Sequence, residues 1–390
     1  METERSLVSP AHYGCASGPA SVDRIPRPAR RPAPGPVQGT ARRVLIVAWR
    51  DVASPQAGGS ELLVDQLAAG LTERGDQVTL LCGGPSTGHA YDVVRSGGPY
   101  TQFLRAPLAY RRRVRDCDVV VEVCNGMPFL TPLWADKPTV CMVNHVHTDL
   151  WPLRFRPPVS TVGQFLEQRV MPWVHRRNLV VTVSDSTAKE LQALGVDRER
   201  IRMLNNGVAP AGPPVRRSRR PLFLALGRLA EYKRIDLLLR LWERVRPVVG
   251  GRLVIAGDGP ERPALEAMAG PDVLFTGRVS ERRKHQLLGS AWLLLHPALI
   301  EGWGIVVTEA ALRGTPTVGF DVPGLRDSVD DGQTGLLART EAAYASAWAA
   351  LALDPSRRAG MGEAAKQRAA ELRWSTAVRH FSAVIDEALR

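Results

Sequence analysis

Short runs of consecutive apolar residues punctuate the chain. Each is followed by a loop and then by a stretch with helical spacing. The first run, VLIVAW after Arg43, has the length and continuity of a strand buried on both faces. A glycine-bearing loop, DVASPQAGGSE, leads into an amphipathic segment, ELLVDQLAAGLTERG, and QVTLLCGG is the next strand. This is a βαβ unit, which predicts a parallel sheet with a right-handed crossover. Gly58, Gly59 and Ser60 stand at the helix start, with Ser60 expected as its N-cap. DVVVEVCN, TVCMVNHVH and NLVVTV supply further strands, and SDST reads as the cap of a helix ended by Gly195.

A second series of the same units follows a stretch without periodicity, APAGPPVRRSRRP. PLFLALGRLAEYKRIDLLLRLWERV reads as strand, basic loop and helix, and RLVIAGDGPERPALEAMA as strand, turn and helix. VLFTGRV is a strand, RRKHQLLGSA a helix, and WLLLHP another strand. No sequence repeat is present, but the architecture repeats. The pattern predicts an α/β protein of two Rossmann-like domains, residues 43–210 and 222–370, joined by a linker at 211–221. Residues 1–42, rich in Pro and Arg, read as a disordered basic tail.

Composition narrows the setting. The chain has 390 residues, enough for two domains with substantial cores, and a net charge of +12 that favours an anionic partner. None of the five cysteines forms a CxxC pair, and several sit in apolar runs. They read as reduced, buried thiols of a cytoplasmic protein, not as a disulfide framework or a zinc site. No stretch approaches the ~20 apolar residues that span a bilayer, and the N-terminus lacks the apolar core of a secretory signal. Two segments are candidates for the inner face of a membrane: residues 105–115, with five arginines, and residues 161–177. The second places Val162, Phe165, Leu166, Val170, Trp173 and Val174 at helical spacing beside Arg169, Arg176 and Arg177. It reads equally as a core helix with basic ends, kinked at Pro172.

The chemistry concentrates between His296 and Phe320, HPALIEGWGIVVTEAALRGTPTVGF. Glu301 lies in a loop with Gly302, Trp303 and Gly304. Glu309 follows eight residues on, in a short and otherwise apolar helix ended near Gly314. A carboxylate among such neighbours needs donors, and sugar hydroxyls such as a ribose diol are suitable ones. Other strand ends contribute as well. Arg228 and Lys233 flank a strand-to-helix loop and suit a diphosphate. Gly257, Asp258 and Gly259 form one turn, Thr276 and Gly277 another. In the first half, His145 and His147 end a buried strand, where ligands of open α/β sheets bind.

With these residues in hand, the second half resembles retaining glycosyltransferases of the GT-B fold, specifically glycosyltransferase family four. The matching text is LGRLAEYKRIDLLL, IAGDGP, FTGRV and EGWGIVVTEAALRGTPTVG. GGSE after the first strand is similar to that family's N-terminal features. LNNGVAP departs from its PNG(V/I)D stretch in lacking the leading Pro and trailing Asp. The resemblance covers residue 43 to the end and implies two domains facing across a cleft. It also implies a C-terminal helix, 371–390, crossing back to the first domain. By it, Arg228 and Lys233 hold the diphosphate of a nucleotide sugar, Glu309 takes the ribose, and Glu301 contacts the donor sugar near the Gly302–Gly304 backbone. Trp303, Gly257, Asp258 and Gly277 complete the donor side. Gly59 approaches the phosphates, and His145 or His147 reaches the reaction centre.

The implied reaction transfers a hexosyl group to a hydroxyl acceptor without metal or cofactor, the nucleotide-diphosphate sugar being the co-substrate. A GT-B epimerase or phosphorylase is the alternative chemistry. A nucleic-acid partner is not expected, because no helix-turn-helix, zinc-finger or RNA-binding motif accompanies the charge.

Overall fold

Seven parallel strands form the first sheet: β1 (Arg43–Arg50), β2 (Gln77–Gly83), β3 (Asp92–Gly97), β4 (Val119–Cys124), β5 (Thr139–Val143), β6 (Leu179–Thr182) and β7 (Ile201–Met203). Six form the second: β8 (Leu222–Leu226), β9 (Arg252–Ala256), β10 (Val273–Gly277), β11 (Leu293–His296), β12 (Thr317–Phe320) and β13 (Gly335–Ala338). The orders are β3-β2-β1-β4-β5-β6-β7 and β10-β9-β8-β11-β12-β13. The computed structural model describes residues 41–84, 88–98 and 100–390. The continuous apolar runs became central strands because helices cover both faces; β4 and β5 are buried at every position. Strands β3, β7 and β13 escaped the sequence reading. They are edge strands, short or half polar, and carry no continuous apolar run.

Strand order reverses between β1 and β4 and between β8 and β11. Loops leaving adjacent strands there diverge to opposite faces and open a crevice at the carboxyl ends. The loops carrying the predicted site residues leave β5, β8, β9 and β11 at that end.

The expected tail, residues 1–42, falls outside the described residues except for Ala41 and Arg42. Arg42 belongs to the folded domain. Its guanidinium donates to Asp76 at 3.0 and 2.6 Å, to Asp386 at 2.6 Å and to Ser382 Oγ at 2.8 Å. It thereby ties the first domain to the helix Trp374–Ala388. That helix places Ala377, Val378, Phe381, Val384 and Ile385 on one stripe. The stripe packs in the same core as Leu63, Val64, Leu67 and Leu71 of the helix Gly59–Glu73. The chain end therefore crosses back to the first domain.

The 211–221 segment is docked on the second domain. Arg217 donates to Thr315 Oγ1 at 2.5 Å and to the Gly314 carbonyl at 2.7 Å, and Trp292 Nε1 donates to the Ser218 carbonyl at 2.8 Å. A proline- and arginine-rich composition gave no sign of these contacts.

Residues 159–174 form the helices Val159–Phe165 and Met171–Val174, with a widened π turn, Leu166–Val170, between them. The widening sits just before Pro172, whose missing N–H and ring clash disrupt a regular helix. Gly163, Glu167, Met171 and Val174 face inward, while Val162, Phe165 and Trp173 are 54%, 58% and 60% exposed. The segment is a core helix on one side and an uncovered apolar face on the other. No helix among the described residues is long and apolar enough to cross a membrane.

Candidate active site

The two crevices face each other across one cleft of about 930 Å³. The second domain lines it with loops after β8, β9 and β11, and the first with the start of the helix Gly59–Glu73 and the ends of β4 and β5. The halves meet at the glycine loop. A side chain at Gly302 would come within 2.6 Å of the Asn144 carbonyl oxygen, so glycine alone permits this approach. Trp303 and Ile305 reach across into the apolar core of the first domain.

Glu301 does not face open solvent. Lys233 Nζ donates to its Oε2 at 2.5 Å, and His296 Nε2 lies 3.0 Å from the same oxygen. Burial alone would raise the Glu301 pKa; the Lys233 charge and the His296 contact outweigh it and hold the carboxyl well below its usual range. Burial disfavours charged Lys233, but the Glu301 carboxylate reverses that and raises its pKa. Burial is also the main cause that lowers His296. The arrangement is therefore a lysinium and a carboxylate, with a neutral imidazole bracing the carboxylate.

Glu309 lies on the helix Ile305–Ala311, beneath the same opening. Lys284 Nζ sits between two carboxylates, donating to Glu309 at 2.6 Å and pairing with Glu281 at 2.8 Å. Burial raises the Glu309 pKa, opposed by Lys284. Facing two anions, Lys284 is raised despite its burial.

Arg228 has no carboxylate within ion-pair distance among the described residues. Burial and the nearby charges of Arg154 and Arg50 lower its pKa, with Tyr232 and Glu61 opposing them. Arg154 lies over the Tyr232 ring at 5.8 Å, whereas Arg50 is satisfied by Glu61 at 2.8 Å. Counting partners, the cleft keeps a surplus of positive charge at Arg228 and Arg154. An anion entering it would complete the balance.

On the opposite wall, His145 and His147 stack with centroids 3.9 Å apart, and both line the cleft. Burial lowers both, His145 to about 3 and His147 to about 4, so the rings are neutral. The His147 Nδ1–H donates to the His145 carbonyl at 3.1 Å, which leaves Nε2 as an acceptor. Glu167 fixes this turn. It accepts from the His147 amide at 2.6 Å and from Trp151 Nε1 at 3.2 Å, and burial raises its pKa to about 7.

Ser60 is not the N-cap of its helix. Gly58 holds that position, and the Glu61 carboxylate accepts from its amide at 2.7 Å. The Ser60 hydroxyl instead accepts from Asn125 Nδ2 at 2.5 Å and Asn144 Nδ2 at 2.6 Å, joining the helix start to the ends of β4 and β5.

The predicted residues Gly59, His145, His147, Arg228, Lys233, Gly257, Asp258, Glu301, Gly302, Trp303, Gly304 and Glu309 all border this one cleft. Gly277 does not; its carbonyl accepts from the Gly257 amide at 2.8 Å behind the lining, where Arg278 takes its place. Gly257 is needed for packing, since a Cβ there would lie 1.8 Å from the Gly227 oxygen. Sequence reasoning missed His296, Lys284, Glu167 and the Ser60–Asn125–Asn144 cluster. His296 was legible, because it ends a buried strand as His145 nearly does. Lys284 was not: in RRKHQ nothing separates it from its charged neighbours.

Two family models match successive parts of the chain. Glycosyltransferase Family 4 matches residues 57–211, and Glycosyl transferases group 1 matches residues 213–368. A D-inositol 3-phosphate glycosyltransferase of Kribbella flavida is 31% identical over 247 residues, 56% of this chain and 57% of that protein. A GDP-mannose-dependent alpha-(1-6)-phosphatidylinositol monomannoside mannosyltransferase of Mycobacterium tuberculosis is 31% identical over 198 residues, 47% of this chain and 51% of that one. The chain thus spans little more than half the length of these curated relatives. The crystal structure of Anabaena Alr3699/HepE in complex with UDP and glucose superposes with a TM-score of 0.72 at 17% identity, covering 89% of this chain and all of that one. That likeness is one of fold.

Proposed function

Because the chain belongs to the glycosyltransferases of family 4, we propose that it moves a sugar from a nucleoside-diphosphate donor to a hydroxyl acceptor, retaining anomeric configuration. The carrying observation is the charge pattern of the cleft. Glu301 and Glu309 are each matched by a lysine, while Arg228 beside Lys233 has no counter-ion among the described residues. A diphosphate is the dianion that fits there, and bidentate contacts to its oxygens suit a guanidinium.

In this reading Arg228 and Lys233 hold the diphosphate, and Glu309 takes the ribose hydroxyls. Glu301, kept ionised, accepts from hydroxyls of the donor sugar beside the Gly302–Gly304 backbone. As the bond from the anomeric carbon to the phosphate breaks, negative charge grows on the departing oxygen, and the two cations stabilise it. That oxygen takes the proton of the incoming hydroxyl on the same face. No side-chain nucleophile and no metal enter the step. Neutral His145 and His147 orient hydroxyls, with His147 Nε2 available as an acceptor.

The relatives named above take an inositol phosphate in one case and a phosphatidylinositol monomannoside in the other. Arg154, on the acceptor side and unmatched by a carboxylate in the ion pairs of the described residues, supports an acceptor with an anionic group near its hydroxyl. The exposed Val162, Phe165 and Trp173 beside Arg169, Arg176 and Arg177 support a peripheral site on an anionic membrane.

Calorimetric titration with UDP- and GDP-sugars tests the donor site. Wild type binds one of them; Lys233→Ala and Glu309→Ala weaken binding at least about tenfold, the worth of one charge-assisted hydrogen bond. If both variants keep their fold and bind like wild type, the residue roles are wrong. If no nucleotide sugar binds wild type, the function is wrong.

A further inference from the structure

Behind the acceptor wall lies a second polar cluster that the transfer chemistry does not use. Among the described residues, one group of three metal-ligating side chains brings its donor atoms within 4.8 Å of one another: Cys124, Cys141 and His175. Cys124 ends β4, Cys141 lies in β5, and His175 caps the helix Met171–Val174. All three are buried, at 3%, 0% and 2% exposure.

The sulfurs are 3.6 Å apart. A disulfide would need about 2.05 Å, whereas two thiolates on one tetrahedral zinc, each about 2.3 Å from it, stand about 3.8 Å apart. His175 Nε2 has no hydrogen-bond partner, although it is fully enclosed. Its nearest charged neighbour is Glu122 Oε2, at 3.2 Å. Its Nδ1 faces the Asn178 side-chain amide nitrogen at 3.4 Å. An ion at Nε2 would take the place of the proton that the ring carries there.

The Glu122 carboxylate borders the cluster. Its Oε1 is 3.2 Å from Cys124 Sγ. Its oxygens also accept from the amides of Phe129, Leu130 and Thr131 and from the Thr131 hydroxyl. It is therefore already anchored at the wall of the cluster.

We propose that Cys124, Cys141 and His175 form a structural zinc site beside the Glu122 carboxylate. Two thiolates and an imidazole select a soft or borderline cation, and their full burial favours a structural ion over a catalytic one. Loading balances as follows. Each thiol loses its S–H proton and the imidazolium that pairs with Glu122 loses one, so one Zn²⁺ displaces three protons. The bound set of Zn²⁺, two thiolates and neutral imidazole carries no net charge beside the Glu122 carboxylate. The ion would clamp β4 to β5 just before Asn125 and Asn144, which hold Ser60 on the cleft wall. The cysteine spacing hid this site, because its ligands come from three separate elements.

The test uses the full chain without a histidine tag, expressed with zinc and dialysed against a weak chelator. Elemental analysis should find about one zinc per chain in wild type, as for a closed structural site. Cys82→Ser and Cys117→Ser should keep it, and Cys124→Ser and Cys141→Ser should lose it. Cobalt loaded into wild type should give tetrahedral d–d bands together with a thiolate-to-cobalt charge-transfer band. This second readout stands even where the cysteine variants fail to fold. Only traces of zinc after loading, equal zinc in Cys141→Ser, or a cobalt spectrum without thiolate bands would overturn the assignment. So would a disulfide between Cys124 and Cys141, shown by the loss of two titratable thiols in denaturant.

Discussion

Replacing Lys284 by methionine keeps its stem packing and removes only the charge between Glu309 and Glu281. In wild type that charge sits 2.6 Å from Glu309, at side-chain exposures of 13% and 11%. Burial already pushes the Glu309 pKa up, with Lys284 opposing it. Without the lysine, burial acts unopposed by it and shifts Glu309 further toward its neutral form. A ribose hydroxyl then donates to a neutral acid, at about 1 kcal/mol, instead of to a carboxylate, at about 1.5–3 kcal/mol. Over two hydroxyls the difference is about 1–4 kcal/mol, or roughly fivefold to nearly a thousandfold in donor affinity. The sign with pH follows from the raised pKa: affinity is poor below it and returns as Glu309 ionises above it. Calorimetric titration of the nucleotide sugar at pH values well below and well above neutrality measures both arms. Lys284→Met affinity equal to wild type at the lower pH would refute the reasoning. A loss that persists at the higher pH would do so too, because it would mean that Lys284 touches the donor itself.

Glu167→Gln should flatten one limb of the stability profile. The Glu167 pKa is raised to about 7, so wild type binds an extra proton when folded; its stability from this group is full below the ordinary carboxylate pKa and is lost as pH rises through about 7. Thermal unfolding from pH 4 to 8 reads this, and an unchanged slope in the variant would count against it. Phe381→Ala should cost about 3–5 kcal/mol, since the ring is fully enclosed where the last helix meets the first domain; denaturant unfolding measures it, and a loss under about 1 kcal/mol would mean that the helix is not integral. Vesicles with anionic lipid should retain wild type at low salt and release it as salt is added, with Phe165→Ser/Trp173→Ser binding weakly. Equal flotation of the double variant would remove this face from consideration.

Most of the second domain was legible because its chemistry is local. Arg228, Lys233, Glu301 and Glu309 each sit one turn or one loop beyond a continuous apolar run, and parallel strands deliver such positions to one edge. The first domain was harder to read. Its cleft wall is built from residues distant in sequence, Ser60 with Asn125 and Asn144, and Glu167 with His147, and no spacing rule links them. Helix starts also misled. Ser60 looked like a cap, but with glycine in the cap position Glu61 reaches back to its amide and frees the serine for the strands. Basic, proline-rich text was read as tail and linker, while Arg42 and Arg217 in it are among the best-satisfied guanidiniums in the fold. Charge alone does not distinguish a solvated arginine from one whose acceptors lie far along the chain.

The anomeric configuration of the first product tests the central claim most directly. The protein is incubated with the α-linked nucleotide sugar it binds and with inositol phosphate, or with water where no acceptor reacts, and the anomeric proton is followed by NMR from the earliest time point. The account predicts release of the nucleoside diphosphate together with an α-configured sugar. A β-configured first product, an epimerised donor or a sugar 1-phosphate would contradict it.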